Sequence, residues 1–224
     1  MINTKRLLEL LDKALDFIYK KKCYCCGRSN ESVKMCSKCY DQLTHRTIGI
    51  ERAIESVPVY SAGIYEKNLQ KIIRGIKYHR QKELGFYIAK FMWEYFEQVI
   101  EKDGLTGTFQ VVPVPLYKKR ERKRGYNHMA IVAEEFCRLS GYELNTELIT
   151  RVKDTKPQYK LSRTEKIENL KNAFRVDKTK LLDMPVLVID DICTSGATFS
   201  SMIEEIKSVG AGKIVCLSAS SPDY

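Results

Sequence analysis

The chain of 224 residues combines 44% hydrophobic with 29% charged residues, which excludes a disordered, collagen-like or coiled-coil protein. Its length suits one sizeable domain, or one domain with a small appendage. No apolar run approaches the about 18 residues that a membrane-spanning helix needs, and Glu9 and Asp12 interrupt any signal-peptide core. We therefore expect a cytoplasmic protein. The formal net charge of +10 favours anionic partners such as phosphates, nucleic acid or acidic lipid, although a solvated basic surface is an equal alternative.

The N-terminal part of the sequence predicts a helix followed by a metal site. Leucine and isoleucine recur at helical spacing over residues 4–21, which indicates an amphipathic helix. Five of the eight cysteines then lie between Cys23 and Cys39, and the other three are scattered. A reducing cytoplasm disfavours disulfides, so clustered thiols point to metal binding.

Two pairs of these cysteines have the spacing of metal ligands, Cys23 with Cys26 and Cys36 with Cys39. Four thiolates suit tetrahedral zinc, and iron is also possible by ligand type. Cys25 competes with the first pair, but Cys23 and Cys26 repeat the spacing of the second pair and are preferred. Because all four ligands come from the protein, the site would be structural, or a platform for a partner.

Behind the cysteines, the hydrophobic pattern alternates between strands and helices. Up to residue 101, it predicts a strand or strand pair over 57–65 and helices over 67–78 and 82–101. From residue 109, it predicts strands over 111–114, 148–152, 186–189 and 213–219 and helices over 128–139 and 198–208. One or two helical turns are expected over 166–172. A basic loop is expected over 118–124 and a polar loop over 153–165. Such alternation is typical of an α/β protein with a parallel sheet and flanking helices.

The most informative stretch is VLVIDDICTSGAT over residues 186–198. An apolar strand ends in two carboxylates, Asp190 and Asp191, and a loop of hydroxyls and small residues leads into a helix. The C-terminal end of a parallel strand is where an open α/β sheet binds its ligand. Amides of the loop and helix start can hold a phosphate, Gly196 permits close backbone approach, and carboxylates suit sugar hydroxyls or a metal ion. The stretch therefore predicts a site for a phosphorylated sugar.

Other interpretations of this stretch are weaker. An N-cap turn with solvated aspartates is disfavoured, because two aspartates, three hydroxyl residues and a glycine fall within nine residues. Nucleotide motifs are absent from the sequence: GAGK over 210–213 lacks the first glycine of GxxxxGK[ST], and no GxGxxG occurs. The phosphorylated-sugar interpretation is thus preferred over a nucleotide-binding one.

At every position, residues 186–198 resemble the motif with which type I phosphoribosyltransferases bind 5-phosphoribosyl 1-pyrophosphate (PRPP). The resemblance implies that Asp190 and Asp191 bind the ribose hydroxyls. It also implies that the following loop binds the 5′-phosphate. The residues of that loop are Thr194, Ser195, Gly196, Ala197 and Thr198.

Further motifs resemble the ComF (ComFC) family and extend the similarity over nearly the whole chain. They are VPVP over 112–115, Arg120, RGYN over 124–127, Gln158, Leu161, Asn169 and Phe174, with the zinc knuckles ahead of them. The sequence departs from the family pattern at Lys166, where an arginine is expected, and at the extra Cys25. The resemblance implies a type I phosphoribosyltransferase fold over 51–224 and an N-terminal helix and zinc-knuckle domain over 1–50. It also implies a role in DNA uptake during natural transformation.

The same resemblance gives a role to the basic run KKRERKR over 118–124, which holds six cations in seven residues. The run stands where such enzymes have their pyrophosphate loop. Lys119, Arg120 and Arg124 are therefore expected to balance the leaving group, with Mg²⁺ bridging its oxygens.

The surplus of cations in this run has a second interpretation, single-stranded DNA binding. Cations can follow a nucleic-acid backbone, and Tyr117 and Tyr126 at the ends of the run could stack on bases. Aromatic residues near a loop more often pack inward, however, and a solvated loop is the third interpretation.

By the same resemblance, the second loop, which carries Lys153, Lys156, Arg163 and Lys166, corresponds to the mobile loop that covers the site during transfer. The expected catalytic residues are Lys156, Arg163 and Lys166, which would stabilise departing pyrophosphate. The implied chemistry is displacement at ribose C1 of Mg·PRPP through an oxocarbenium-like centre, with an unidentified acceptor. His45, His79 and His128 show no metal spacing and receive no catalytic role.

Two other functions stay open from the sequence. The fold could be a non-catalytic adaptor that keeps the PRPP pocket as a sensor, while the zinc domain and the basic run bind single-stranded DNA or a helicase partner. It could also be an enzyme of the purine-salvage or amidophosphoribosyltransferase type. The oligomeric state and peripheral attachment at the inner face of the membrane are open as well.

Overall fold

The computed structural model describes residues 22–29, 33–155, 165 and 169–222. The chain forms two compact units, Met1–Gln42 and Leu43–Tyr224. The helix expected over 4–21, residues 156–164 of the polar loop and residues 166–168 of the expected helical turns lie outside the described residues. The expected domain boundary at residue 50 stays a prediction.

The small unit is built around a tight turn and a short helix. The backbone of Lys22 bridges to that of Ser29 across the turn. Gly27 lies in this turn with a φ of +72°, which a residue with a Cβ adopts only with strain. Helix α1, Ser37–Tyr40, begins directly behind Cys36. The two cysteine pairs therefore lie on two separate turns of the backbone.

In the large unit, strands and helices alternate for most of its length. The strands are β1 Arg52–Ile54, β2 Val57–Ile64, β3 Gln110–Pro113, β4 Glu143–Leu144, β5 Ile149–Arg151, β6 Phe174–Val176, β7 Val186–Ile192 and β8 Ile214–Ser221. The helices are α2 Lys67–Tyr78, α3 Leu84–Asp103, α4 Lys118–Arg124, α5 His128–Ser140 and α6 Ala197–Ser208, with a short 3-10 helix at Lys178–Lys180.

The main sheet has the strand order β1-β2-β8-β7-β3-β4. β1 and β2 are antiparallel, and each of the other neighbouring pairs is parallel. β5 and β6 form a separate antiparallel pair. The predicted α/β architecture with a parallel sheet and flanking helices is thereby confirmed.

The central strands are covered on both faces, which explains their continuous apolar sequences. In β7, residues 186–189 are fully buried. Val188 belongs to the same core cluster as Phe199 of α6. Ile189 points to the opposite face, where α5 packs against β3 and β7, because successive strand side chains alternate. The sheet therefore forms the middle layer between helices.

A buried amide joins the end of β4 to neighbouring segments. Asn145 donates from Nδ2 to Oε1 of Gln110 at 3.0 Å and to the carbonyl of Lys180 at 2.8 Å. Its Oδ1 accepts a hydrogen bond from the backbone N–H of Leu148 at 2.9 Å. One side chain thus links β3, the 3-10 helix and the start of β5.

The basic run over 118–124 is the helix α4, so the prediction of a loop was wrong. Lysine, arginine and glutamate are good helix formers, and no glycine or β-branched residue interrupts the run. Gly125 ends the helix in a left-handed conformation with a φ of +88°. A run of charged residues has no apolar period, and it therefore carried no helical signal.

Several short elements have no counterpart in the prediction. β1, β4, β6 and the 3-10 helix are each two or three residues long, which is too short for a period to show. The strand expected over 148–152 is confirmed as β5, although it pairs outside the main sheet. Within the described part of the chain, no helix is long and apolar enough to cross a bilayer.

Candidate functional site

The candidate sugar-phosphate site lies at the carboxyl edge of the main sheet. β7 runs through both aspartates and ends at Ile192, and α6 begins at Ala197. In the register of the sheet, Asp190 lies beside Ser218 of β8, and β3 runs parallel to β7 on its other side. The acid pair therefore stands at the edge where an open α/β sheet binds its ligand.

The two carboxylates point to opposite faces of the sheet, because successive side chains of a strand alternate. Asp190 has the direction of Val188 and lies on the α6 face, where it is partly exposed. Asp191 lies on the α5 face and is 7% exposed. The acid pair thus straddles the edge of the sheet, and each carboxylate meets different neighbours.

Asp191 is bound by two side chains that lie outside the motif. Lys77, near the end of α2, places Nζ 2.8 Å from Oδ2 of Asp191. His128, the first residue of α5, contacts the same oxygen through Nε2. The side chain of Lys77 is 16% exposed and that of His128 is 5% exposed. His128, for which no catalytic role is expected from the sequence, therefore lies beside the acid pair.

The partners of His128 determine which ring nitrogen carries the proton. Nη1 of Arg124 lies 2.6 Å from Nδ1. A guanidinium can only donate, so Nδ1 accepts, and Nε2–H donates to Asp191. The ring is then neutral, in agreement with its pKa, which burial and the charges of Lys77 and Arg124 lower. A continuous chain of contacts runs from Arg124 through His128 and Asp191 to Lys77.

The surroundings separate the acidities of the two carboxyls. Burial alone would raise the pKa of Asp191, but the Lys77 ammonium and the His128 contact hold it well below its ordinary value. The pKa of Asp190 is raised by burial and by the adjacent charge of Asp191. The backbone N–H of Asp191 also donates to Oδ1 of Asp190 at 2.8 Å. Asp191 is consequently anionic at neutral pH, and Asp190 is the more easily protonated partner.

The motif loop, residues 194–198, is shaped by a glycine and by the edge strand β1. Gly196 has a φ of +80°, and a Cβ at this position would lie 2.5 Å from Cδ1 of Ile54. Arg52, on the same strand as Ile54, donates from Nη1 to the carbonyl of Thr194 at 2.8 Å. The loop leads into α6, whose N-terminal amides and dipole suit a phosphate.

Two guanidinium groups meet at Thr155 beside the site. Arg120 of α4 donates to the carbonyl of Thr155, and Arg151 of β5 donates to its hydroxyl. Burial and the charge of Arg120 lower the pKa of Arg151 to about 10. Asp154 lies 3.6 Å from Arg120, and Nε of Arg151 is buried without a hydrogen-bond acceptor among the described residues. Two adjacent guanidinium groups, one of which has a buried N–H without an acceptor among the described residues, favour the binding of an anion that carries more than one charge.

The predicted cations fall into three groups. Arg120 and Arg124 lie one helical turn apart on α4, are partly buried, and contact Thr155 and His128. The exposed cations of the same helix are Lys118, Lys119, Arg122 and Lys123. Lys119 therefore lies on the outer face, away from its two predicted companions. The expected catalytic residues, Lys156, Arg163 and Lys166, lie outside the described residues.

The aromatic residues around α4 differ from the expectation. Tyr126 is 8% exposed, and its hydroxyl donates a hydrogen bond to the carbonyl of Ile76 at 2.6 Å. Its ring therefore has no free face on which a base could stack, which corrects the stacking role considered for it. Tyr117 is partly buried. Tyr78, which the sequence did not single out, is 66% exposed, and the guanidinium of Arg124 lies 5.8 Å from its ring centre.

Among the described residues, four side chains of the site were not predicted from the sequence. They are Arg52, Lys77, His128 and Arg151. Lys77 does leave a signal, because it lies four residues after the buried Ile73 and so continues the apolar face of α2 with a charged residue. The others depend on contacts between segments that are distant in the chain, and no local pattern marks them.

The four predicted metal ligands come together in the small unit. The Sγ atoms of Cys23, Cys26, Cys36 and Cys39 all lie within 4.8 Å of one another. Those of Cys26 and Cys36 are 3.9 Å apart, close to the about 3.8 Å edge of a tetrahedron with about 2.3 Å zinc–sulfur bonds. Among the residues that the structure describes, this cysteine group does not include Cys25.

Arg28 is a charged neighbour of the cysteine group. Hydrogen bonds from its backbone and its side chain lower the pKa of Cys26 to about 6. The thiolate is the form of cysteine that binds a metal. The donor set and its spacing fit a metal such as zinc, and four protein ligands would leave it no open position.

The sequence is similar to curated proteins along most of its length. It is 25% identical over 197 residues to the DNA utilization protein YhgH of Salmonella typhimurium, and the match covers 86% of each chain. It is also 25% identical over 198 residues to competence protein F of Haemophilus influenzae, again over 86% of both. Competence protein ComFC of Bacillus subtilis is 34% identical over 90 residues, which are 40% of this chain and 35% of that protein. No family model matches the chain.

Similar solved structures include two adenine phosphoribosyltransferases. The enzyme from Saccharomyces cerevisiae has a TM-score of 0.34 and 12% identity, over 58% of this chain and 68% of that chain. The enzyme from Thermoanaerobacter pseudethanolicus has a TM-score of 0.36 and 11% identity, over 64% and 83%. These scores are low, so the fold class rests on the strand order and the parallel register described above.

The relatives and the geometry agree with the motifs. The curated relatives align with most of the chain. The cysteines of the expected zinc knuckles form one group, and the 186–198 motif lies at the carboxyl edge of a parallel sheet. The resemblance to the ComF family is thereby confirmed, and the chain is a relative of competence protein F and ComFC.

Proposed function

We propose that the chain binds PRPP at the 186–198 motif and acts as a phosphoribosyltransferase-like protein of DNA uptake. The observation that carries this proposal is the acid pair at the carboxyl edge of the sheet, directly ahead of the motif loop. A phosphorylated sugar needs both, because its hydroxyls require acceptors and its phosphate requires amides and positive charge. The DNA-uptake part rests on the named relatives, a DNA utilization protein and two competence proteins.

Each part of the site has a role in this proposal. Asp190 and Asp191 accept hydrogen bonds from the ribose hydroxyls, and the motif loop binds the 5′-phosphate. Arg120 and Arg151 bind the pyrophosphate, where Mg²⁺ supplies further charge neutralisation when it accompanies PRPP. Lys156, Arg163 and Lys166 are proposed to stabilise departing pyrophosphate. Transfer breaks the bond between ribose C1 and pyrophosphate and forms a bond from C1 to an acceptor nucleophile.

Calorimetric titration of PRPP in the presence of Mg²⁺ tests the pocket. The wild type is expected to bind, and Asp190→Asn is expected to bind about tenfold more weakly or worse, because the amide replaces one acceptor oxygen with a donor and an unpaired hydrogen-bonding group costs about 1–3 kcal/mol. Asp190 is chosen because its substitution leaves the ion pair between Asp191 and Lys77 intact. Asp183→Asn, an exposed carboxylate ahead of β7, is the matched control.

Two outcomes would contradict this proposal. If the folded wild type does not bind PRPP, the motif is not a PRPP site. If Asp190→Asn binds as tightly as Asp183→Asn, the acid pair does not hold the sugar. Repeating the titration with EDTA in place of Mg²⁺ tests the ion separately, because equal affinities would remove Mg²⁺ from the proposal.

A second candidate function, single-stranded DNA binding as an adaptor, is favoured by the outer face of α4. Its four exposed cations, Lys118, Lys119, Arg122 and Lys123, lie on the side of the helix away from Arg120 and Arg124. Such a row can follow the phosphates of single-stranded DNA. In this second proposal, a helicase of the uptake machinery is the further partner.

The salt dependence of oligonucleotide binding tests this second function. Reversing the charge of Lys119, Arg122 and Lys123 is expected to flatten the slope of log affinity against log salt by about 2, since each phosphate contact contributes about 0.7. The control reverses three exposed lysines elsewhere on the large unit, Lys71, Lys178 and Lys213. Equal slopes for the two triple variants would contradict a role of α4 in DNA binding.

The cysteine group is proposed to hold one structural Zn²⁺. The proposal rests on four thiol sulfurs within 4.8 Å of one another and on the neighbouring Arg28, which offsets part of the charge of four thiolates. Because the unfolded chain has no preformed site, zinc binding would contribute directly to the folding of the small unit.

A further inference from the structure

A mostly buried lysine, Lys77, and a buried histidine, His128, lie at the acid pair, although neither belongs to the motif. Lysine side chains are mostly exposed unless they are paired, and here the partner is Asp191. His128 donates to the same oxygen, Oδ2, from a different helix. The two donors therefore converge on one atom from α2 and from α5.

We propose that Lys77 and His128 are the positioning residues of the sugar subsite, which hold Oδ2 of Asp191 and so present its other oxygen, Oδ1, to a sugar hydroxyl. This inference rests on the proposed function, in which the acid pair binds ribose. Neither side chain needs to touch the sugar, because both act through Asp191.

A purely structural role explains the arrangement poorly. A buried ion pair contributes little net stability, because the loss of hydration offsets the attraction between the charges. Apolar side chains of similar volume would fill the same space without that cost. The pair also lies at the carboxyl edge of the sheet, beside the motif loop, where ligands of such sheets bind.

The geometry restricts the orientation of the Asp191 carboxylate. A carboxylate with a single donor can rotate about its last bond and offer a hydroxyl several geometries. Two donors from two helices remove this freedom, and Arg124 restrains His128 in turn through Nδ1. A carboxylate held in one geometry forms a well-aligned hydrogen bond with the hydroxyl of the correct ligand, and this bond is lost when the hydroxyl is missing. A carboxylate that rotates freely forms a weaker bond, so the two ligands then differ less in affinity.

The consequence is a preference for sugars that carry both ring hydroxyls. Asp191 binds one of the two ring hydroxyls, O2 or O3. The wild type is expected to bind ribose 5-phosphate about tenfold more tightly than the deoxy sugar that lacks this hydroxyl, which is either 2-deoxyribose 5-phosphate or 3-deoxyribose 5-phosphate. The 5′-phosphate contacts lie in the motif loop and are the same for all three sugars. The ratio of affinities therefore reports the acid pair and not the phosphate subsite.

Calorimetry with these three sugar phosphates on four variants tests the proposal. Lys77→Met is expected to reduce the preference from about tenfold to less than about threefold, whereas Lys77→Arg, which keeps the charge and the donors, restores it. Lys71→Met, an exposed lysine on the same helix, is the matched control and retains the preference. His128→Phe leaves the ion pair of Lys77 and Asp191 in place, so it provides a second and milder variant with a reduced preference.

The outcomes separate this inference from the proposed function. If the wild type binds neither PRPP nor ribose 5-phosphate, the proposed function fails and this inference fails with it. If the wild type shows the preference and either Lys77→Met or His128→Phe retains it in full, the inference alone is overturned. A loss of affinity for all three sugars by the same factor also overturns it, because such a loss indicates a structural defect and not a loss of positioning.

Discussion

Replacing Gly196 with alanine tests how closely the edge strand β1 covers the motif loop. Gly196 is the N-cap of α6 and has a left-handed φ of +80°. A Cβ at this position would lie 2.5 Å from Cδ1 of Ile54, well inside van der Waals contact. Alanine therefore meets both a backbone cost and a steric cost.

The two costs can be worked out separately. An alanine in the left-handed region costs about 1 kcal/mol relative to glycine. Overpacking a close contact costs about 1–3 kcal/mol, and the lower half of this range applies because Cδ1 is the end of a side chain that can rotate. The free energy of unfolding of Gly196→Ala is expected to fall by about 2–3 kcal/mol.

Denaturant unfolding followed by the fluorescence of Trp93 measures this change. Trp93 is the single tryptophan of the chain and lies in the same unit as Gly196. Ile54→Val removes Cδ1, so Gly196→Ala should cost only about 1 kcal/mol in that background. Gly141→Ala, at a φ of +74° with no atom within 4 Å of its Cβ, is the control for the backbone cost. Equal costs at Gly196 and Gly141, or no relief from Ile54→Val, would refute the reasoning.

Three further predictions concern the metal, the buried ion pair and the core. Purified protein is expected to contain about one zinc ion per chain, lost in Cys36→Ser and kept in Cys25→Ser, and metal loss from the second variant would show a wrong ligand set. Asp191→Asn should lower the free energy of unfolding by about 3 kcal/mol at pH 7, because the mostly buried ammonium group of Lys77 loses its carboxylate partner. The pKa of Asp191 in the folded protein lies below its unfolded value of about 4. The loss of unfolding free energy in Asp191→Asn is therefore fully present above pH ~4 and becomes smaller below it. Equal losses at pH ~7 and pH ~3 would contradict the ion pair between Asp191 and Lys77. Asn145→Leu should cost about 2–4 kcal/mol in denaturant unfolding, since it leaves buried hydrogen-bonding groups unpaired, and a cost below about 1 kcal/mol would be inconsistent with its contacts.

The location of the candidate site could be predicted because its signals are local. An apolar strand, an acid pair and a small-residue loop follow one another within thirteen residues, and a parallel sheet puts such a segment at its carboxyl edge. The orientation of the acids could not be predicted in the same way. β7 continues to Ile192, three residues beyond the expected end at Ile189, and this continuation directs Asp190 and Asp191 to opposite faces.

The contact of His128 with the acid pair was beyond the reach of sequence patterns. His128 and Asp191 are 63 residues apart in the chain, and their contact depends on how α5 packs against β7. Helix α4 shows the same limit for a different reason, because its seven residues include six cations and no apolar residue. Periodicity reports which side of an element is buried, so an element without an apolar side gives no signal.

The edge position of β1 has a consequence for how ligand binding can be detected. β1 is three residues long and pairs with β2 alone among the described strands, yet Arg52 and Ile54 shape the motif loop. Segments with few buried contacts can open locally at a small fraction of the global unfolding free energy, and none of the three residues of β1 is fully buried. Each opening of β1 would release the carbonyl of Thr194, and only the closed fraction of molecules would bind phosphate with full affinity. The amides of β1 are therefore natural reporters of occupancy, because a ligand that requires the closed loop must slow their hydrogen exchange.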